Sequence, residues 1–126
     1  MSIIDHLGLP YGNYSAARAF FDAALAPLGI SCLSEFPIPS GTIAGYGRDK
    51  PEFWMHSGKP VGQTLHVAFV ARSRAEVDAF HAAALAAGGT DNGAPGIREI
   101  YHPDYYGAFV LDPDGHNIEA VCRAPA

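Results

Sequence analysis

Residues 6–30, "HLGLPYGNYSAARAFFDAALAPLGI", lie without gaps over residues 66–90, "HVAFVARSRAEVDAFHAAALAAGGT", and eight of the 25 positions are identical. Alanine-rich helices match by chance, so the alanines carry little weight. His6/His66, Phe20/Phe80, Leu25/Leu85 and Gly29/Gly89 share one offset of 60, and they carry the argument. A period this long with only two members describes a pair of similar units, not a long solenoid. The constraint on the fold is strong, because whatever the first half builds, the second half builds again.

Each half has the same plan. A short strand comes first, "IIDHLGL" or "TLHVAFV". A helix follows. Ser73 with Glu76 has the S-x-x-E form of a capping box, and Gly88-Gly89 closes that helix. In the first half Ser15 is the expected cap and Pro27–Gly29 the stop. Phe20, Leu25 and Leu28 suit one buried helix face, as do Val77, Phe80 and Leu85. Three strands then follow in each half: "ISCLSEF", "GTIAGYG" and "PEFWMHS", then stretches near "GIREIYH", "YYGAFVL" and "HNIEAVC". Pro37–Pro39 and Asp91–Gly96 read as loops. Four strands and one helix bury too little alone, so the halves must share a core. The expected organisation is one domain over residues 1–126. It comprises a first module at 1–58 and a second at 64–126, joined through "SGKPVGQT".

Composition excludes several function classes. A chain of 126 residues that is 48% hydrophobic and 17% charged is globular rather than disordered. Its net charge of −5, with no basic cluster, argues against nucleic acid and anionic membranes as partners. No apolar run is long enough to span a bilayer. The start lacks the basic and apolar regions of a signal peptide, so a cytoplasmic location is expected. Cys32 and Cys122 form no C-x-x-C pair and read as small hydrophobes in a reduced compartment.

One charged residue is out of place. In "FVLDPDGHNIEAV" the Asp112–Gly115 stretch is a turn, and Glu119 falls inside the strand after it. A carboxylate among apolar strand residues must face water, pair with a cation or hold a metal. Alternation puts Asn117, Glu119 and Val121 on one side. If the halves are related by an approximate two-fold axis, His6 and His66 converge and Glu119 can join them. Two imidazoles and a carboxylate with open positions suit Fe(II), Mn(II), Zn(II) or Ni(II). The competing reading is a pair of strand histidines hydrogen-bonded in the sheet. His81, in the second helix, and His116, beside the turn, are expected to be exposed.

The order βαβββ twice, a histidine in each first strand and "DPDGHNIE" near the end resemble the vicinal oxygen chelate superfamily. That superfamily includes glyoxalase I, fosfomycin-resistance enzymes, extradiol dioxygenases and bleomycin-binding proteins. The resemblance covers essentially the whole chain and is poorly specific for any one activity. It implies an α+β fold of two tandem βαβββ modules forming a cupped mixed sheet around a metal. The metal would chelate two neighbouring oxygens of a small-molecule substrate. Carried over, His6, His66 and Glu119 take the first, third and fourth ligand positions.

The second position departs from the pattern. Where glyoxalase I has a glutamate or glutamine, this chain has Trp54, which cannot ligate. Glu52 and His56 lie on the same side of that strand. The remaining triad, His, His and Glu, is the set extradiol dioxygenases use. Part of their signature also appears in "IYHPDYYGAFVLDPDGHNIE", although Phe109 stands where a tyrosine is expected. In a lyase or isomerase the metal polarises a carbonyl while Glu119 or a histidine moves the proton. In a dioxygenase His102 would hydrogen-bond beside the metal. Trp54, Tyr105, Tyr106, Arg48 and Arg98 are candidates to orient substrate, Trp54 as a flat apolar platform. The alternative is a metal-free module that sequesters a small molecule. A homodimer is expected, because modules in this superfamily pair within one chain or between two.

Overall fold

The computed structural model describes residues 3–126. The first half runs β1 (Leu7–Tyr11), α1 (Tyr14–Leu25), β2 (Ser31–Ile38), β3 (Gly41–Gly47) and β4 (Phe53–Ser57). The second runs β5 (His66–Val70), α2 (Arg74–Ala86), β6 (Thr90–Ile97), β7 (Tyr106–Leu111) and β8 (Asn117–Cys122). Each half forms its own four-stranded mixed sheet, ordered β1-β4-β3-β2 and β5-β8-β7-β6. β1 is parallel to β4 and β5 to β8, while the other pairs are antiparallel. The fold is therefore the doubled βαβββ arrangement expected from the repeat. No helix among the described residues is long and apolar enough to cross a membrane.

Alternation explains the core. Leu9, Tyr11, Ala44, Tyr46, Phe53 and Met55 of the first sheet are buried together with Phe20 and Phe21 of α1. The Phe21 ring lies 4.9 Å from Phe53 and 5.7 Å from Tyr11. Ala108, Val110, Ile118, Ala120 and Cys122 do the same in the second sheet with Val77, Phe80 and Ala84 of α2. The two helices pack on each other, so both apolar faces join one core. Phe53 and Phe69 meet across the halves at 5.3 Å. Arg48 adds a polar stitch, its Nη2 donating to the carbonyls of Leu28 and Val70 at 2.9 and 2.7 Å.

Several local expectations are corrected. Asn13, not Ser15, caps α1, its side chain accepting from the Ala16 amide at 3.0 Å. Ser73 caps α2 as expected, but Glu76 reaches past it to the amide of Arg72 at 2.8 Å. Leu85 is 36% exposed and belongs to the solvent side of α2. Asp91–Gly96 is not a loop but most of β6. Register shifts and the left-handed Gly93 interrupt its pairing with β7, and this irregularity masks the strand pattern. Pro37 lies inside β2, which is an edge strand, where a missing amide is tolerated.

His116 is buried, 2% exposed, and not at the surface. Its Nδ1 accepts the Leu65 amide at 3.0 Å, and its ring stands edge-on to Tyr11 at 5.7 Å. The Tyr11 hydroxyl donates to Asp112 at 2.7 Å, and Asp112 also accepts the amides of Asp114 and His116. The turn is thus drawn inward because its polar groups serve the joint between the halves. His81 is only partly covered and bonds Asp91 at 2.9 Å.

Candidate functional site

Facing away from the helices, each sheet presents a second surface. On the second sheet it carries His66 of β5 and Glu119 of β8. His66 pairs with Asn117 and Ala68 with Glu119, so the histidine and the glutamate are diagonal neighbours on one face. Their side chains meet, with His66 Nε2 at 2.6 Å from Glu119 Oε1. Glu119 is 1% exposed, whereas the His66 side chain is 54% exposed. The buried carboxylate is satisfied on its other oxygen by the hydroxyl of Tyr105. Burial and then this bond push the Tyr105 phenol up to about 12. Gly107 makes room between them, because a Cβ there would come within 3.3 Å of Glu119 Oε2. The question posed by Glu119 has a structural answer: it faces neither water nor an arginine but is clamped between an imidazole and a phenol.

Around this pair lie two arginines. Arg98 sits over the Phe109 ring at 5.4 Å, and Phe109 pairs directly with Glu119. Arg123 sits over the Tyr105 ring at 5.0 Å. Arg123 did not stand out in the sequence, because an arginine beyond a last strand carries no signal of its own, and Phe109 drew notice there only as a departure from the dioxygenase signature.

The corresponding surface of the first sheet holds His6, Gly8, Phe36, Ile43, Trp54 and His56, which line one cleft of about 350 Å³. His6 precedes β1, and its Nδ1 bonds Asp5 at 2.8 Å. Asp5 is held down to about 2 by hydrogen bonds from Lys50 and then His6. The register fixes an equivalence between the halves. Gly8 pairs with Trp54 as Ala68 pairs with Glu119, so Trp54 occupies in β4 the place Glu119 occupies in β8.

Within one chain the two imidazoles do not converge. His6 lines the Trp54 cleft, and His66 lines a different cavity of about 380 Å³ between β5 and the first half, beside Asp5, Arg48 and Glu52. Among the described residues, no three His, Cys, Asp or Glu side chains come together to hold a metal. The reason is the core. The halves join through their helix sides, and the outer face of each sheet lies on the side away from that shared core. For a divalent metal the donor chemistry of His66 and Glu119 fits, an imidazole nitrogen and a carboxylate oxygen already adjacent, but it supplies two ligands only.

The other candidates are dispersed. His102 lies in the β6–β7 connection, its Nδ1 accepting the Asp104 amide at 3.0 Å. Tyr106 points to the helix side and donates to Asp78 at 2.6 Å. Arg48 is engaged by carbonyls as described above, at the wall of the second cavity. Tyr105 and Arg98 lie on the Glu119 face, and Trp54 lies on the His6 face.

These features can be set beside known proteins. No protein of curated function matches the chain. Among solved structures, a glyoxalase/bleomycin resistance protein from Albidiferax ferrireducens is 30% identical with a TM-score of 0.79, over 98% of this chain and 100% of that one. A glyoxalase-related enzyme from Fulvimarina pelagi is 20% identical with a TM-score of 0.71, over 97% and 88%. Glyoxalase I from Zea mays is 21% identical with a TM-score of 0.70, over 94% of this chain but 45% of its own length. At the lower identities the likeness is one of fold. Residues 3–120 match the Glyoxalase/Bleomycin resistance protein/Dioxygenase superfamily as a family, and the chain belongs to it.

Proposed function

We propose that the protein is a metal-dependent enzyme of this superfamily whose site is completed between two copies of the chain. His66 and Glu119 of one copy and His6 of the other hold the metal. The substrate is a small molecule bound through two neighbouring oxygens, and the reaction is of the glyoxalase-like lyase or isomerase type or the extradiol dioxygenase type. The observation that carries this reading is the 2.6 Å contact between His66 Nε2 and Glu119 Oε1. One imidazole nitrogen and one carboxylate oxygen at that separation form half of a donor set suited to Fe, Mn, Zn or Ni. The metal would supply Lewis-acid polarisation of a substrate oxygen.

The chain's own residues have separable roles. Tyr105 fixes one oxygen of Glu119 and leaves the other toward His66. Arg98 brings positive charge to the same face, and Trp54 supplies an apolar wall on the His6 face. Two features support pairing of copies. β1 and β5 are edge strands of their sheets. Each also carries exposed apolar side chains, Leu7 at 37% and Val70 at 65%. Such edges invite another chain. The free thiols of Cys32 and Cys122 support a reduced, cytoplasmic setting.

A second reading is a metal-free binding module, and a specific observation favours it. Trp54 stands where the repeat places a carboxylate, so the first half offers an aromatic surface in place of a ligand.

Complementation tests the first reading. His6→Ala and His66→Ala each are expected to lose tight metal uptake as pure proteins. Unfolding and refolding them together should restore one intact site per mixed dimer, read as cobalt absorbance or calorimetric stoichiometry. No recovery on mixing, or full uptake by either single variant, sinks the shared site. Saturable small-molecule binding by a protein that takes up no metal supports the second reading.

A further inference from the structure

Two hydrogen bonds fix where β5 begins, and both come from the start of β8. The Leu65 amide donates to His116 Nδ1 at 3.0 Å, and the Asn117 amide donates to the Leu65 carbonyl at 2.8 Å. Burial does little to hold this segment. Every residue from Lys59 to His66 is exposed, and Leu65 is 41% exposed despite its apolar side chain. The residue that follows is His66, which pairs with Asn117 and meets Glu119.

Histidine is a costly choice for supplying one acceptor. A backbone amide only donates, so the bonded Nδ1 carries no hydrogen and the neutral ring has its hydrogen on Nε2. That Nε2 is buried and, among the described residues, has no hydrogen-bond partner. A buried donor left unpaired is destabilising. The ring is nevertheless firmly seated. It stands edge-on to Tyr11 at 89°, and the His116 amide donates to Asp112 at 2.9 Å. Asp112 in turn accepts the Tyr11 hydroxyl at 2.7 Å. The imidazole is therefore a rigid arm that runs from the joint between the halves to Leu65.

The first half supplies an internal comparison. Trp54 holds the register place of Glu119, so Pro51 holds that of His116 and Glu52 that of Asn117. Proline offers no side-chain acceptor. The Glu52 amide donates to the Tyr46 carbonyl at 2.8 Å and not to the segment before β1. With neither bond in place, β1 begins at Leu7, one residue later in the repeat than β5, which begins at His66. His6 stays outside the strand, bonded to its neighbour Asp5. We propose that His116 is a positioning residue: through the Leu65 amide it sets the start of β5 and so holds His66 against Glu119. The inference deepens the proposed function and rests on it only for the metal.

Two substitutions in the full-length protein separate the acceptor from the packing. His116→Asn keeps an acceptor on the atom after Cγ, where Nδ1 stands, whereas His116→Leu puts a methyl group there. In chelator-treated protein, His116→Leu is expected to lose hydrogen-exchange protection at the Leu65 amide by about tenfold. The His66 Nε2 resonance should move toward that of a free imidazole. His116→Asn should keep both signals. Cobalt affinity should fall about tenfold in His116→Leu and stay near the parent's in His116→Asn. Where leucine lowers the melting temperature, Leu65→Pro decides instead. It removes the same amide at an exposed residue just before a strand, a place that tolerates proline, and should move the His66 resonance likewise. An unmoved His66 resonance in the deciding variant overturns the proposal. So does an equal shift in His116→Leu and His116→Asn, which makes ring packing the cause. A His66 resonance that follows expectation in a protein taking up no cobalt upholds the positioning role and sinks the metal reading alone. Tight cobalt uptake with that resonance unmoved sinks the positioning role alone.

Discussion

The Nε2 of His66 and the Oε1 of Glu119 lie 2.6 Å apart, one side chain half in solvent and the other 1% exposed. The buried partner has no water to fall back on, so His66 and Tyr105 supply its hydrogen bonds. Removing it is therefore expected to be costly even without metal. Glu119→Ala leaves the buried Tyr105 hydroxyl unpaired and should lower stability by about 1–3 kcal/mol in urea unfolding. Glu119→Gln keeps an acceptor for Tyr105 and should lose less than half of that. In Glu119→Ala the Tyr105 phenol should titrate below its value of about 12, read by ultraviolet absorbance. The sign follows from the raised phenol. The Tyr105 contribution is present below about 10 and disappears as pH rises through about 12.

Tyr11 and Asp112 join the halves at 2.7 Å, 101 residues apart in the chain. Burial raises the Asp112 carboxyl above the usual range, against the lowering effect of the Tyr11 hydrogen bond. The folded state therefore holds that proton more tightly than the unfolded chain. The resulting stability is present below pH 3.8 and lost as pH rises through the raised value. Tyr11→Phe removes the opposing bond and should cost about 1–3 kcal/mol at neutral pH. The gap between wild type and variant should narrow toward pH 4, where a protonated Asp112 no longer needs the donor. Thermal melts across that range check both statements, and a gap independent of pH refutes the second.

Asp5 ties the segment before β1 to Lys50 at 2.7 Å and holds His6. Its carboxyl, lowered to about 2, favours the folded arrangement above pH 3.8 and ceases to as pH falls through about 2. Lys50→Met should return the Asp5 titration toward 3.8 in a carboxyl-detected NMR experiment. Because the pair is exposed, the melting temperature should hardly move.

Gly89 sits where α2 passes into β6, and its identity with Gly29 in the repeat conceals a different role. Gly29 takes a left-handed φ of 73°, which in the second half falls to Gly88 at 100°. A Cβ on Gly89 would lie 2.4 Å from Val110 Cγ1 and 2.8 Å from Phe20 Cε1. Gly89→Ala should therefore destabilise by about 1–3 kcal/mol in urea unfolding, through overpacking where the halves meet. Unchanged stability would mean the helices separate easily there.

The architecture was legible because it was written twice. Matching residues at an offset of 60, a capping Ser73 and alternating apolar strands are local signals, and each names its own element. β6 was not, since Gly93 and the register shifts break the alternation that a strand reading needs. His116 was misplaced for a related reason. A polar residue beside a turn reads as exposed, and only the Leu65 amide and the Tyr11 ring, more than 50 positions away, draw it inside.

The chain alone determined that there are two like halves, that Glu119 needs a partner, and that a tryptophan, Trp54, stands in the last strand of the first half. It did not determine which faces the halves would press together. That choice belongs to the apolar surfaces of α1 and α2, whose burial in one core outweighs any attraction between two histidines. The tertiary structure pairs His66 with Glu119 through the β5–β8 register and leaves His6 beside Trp54 in a separate cleft. Side-chain convergence depends on how sheets are oriented in space, and spacing along the chain does not encode that orientation.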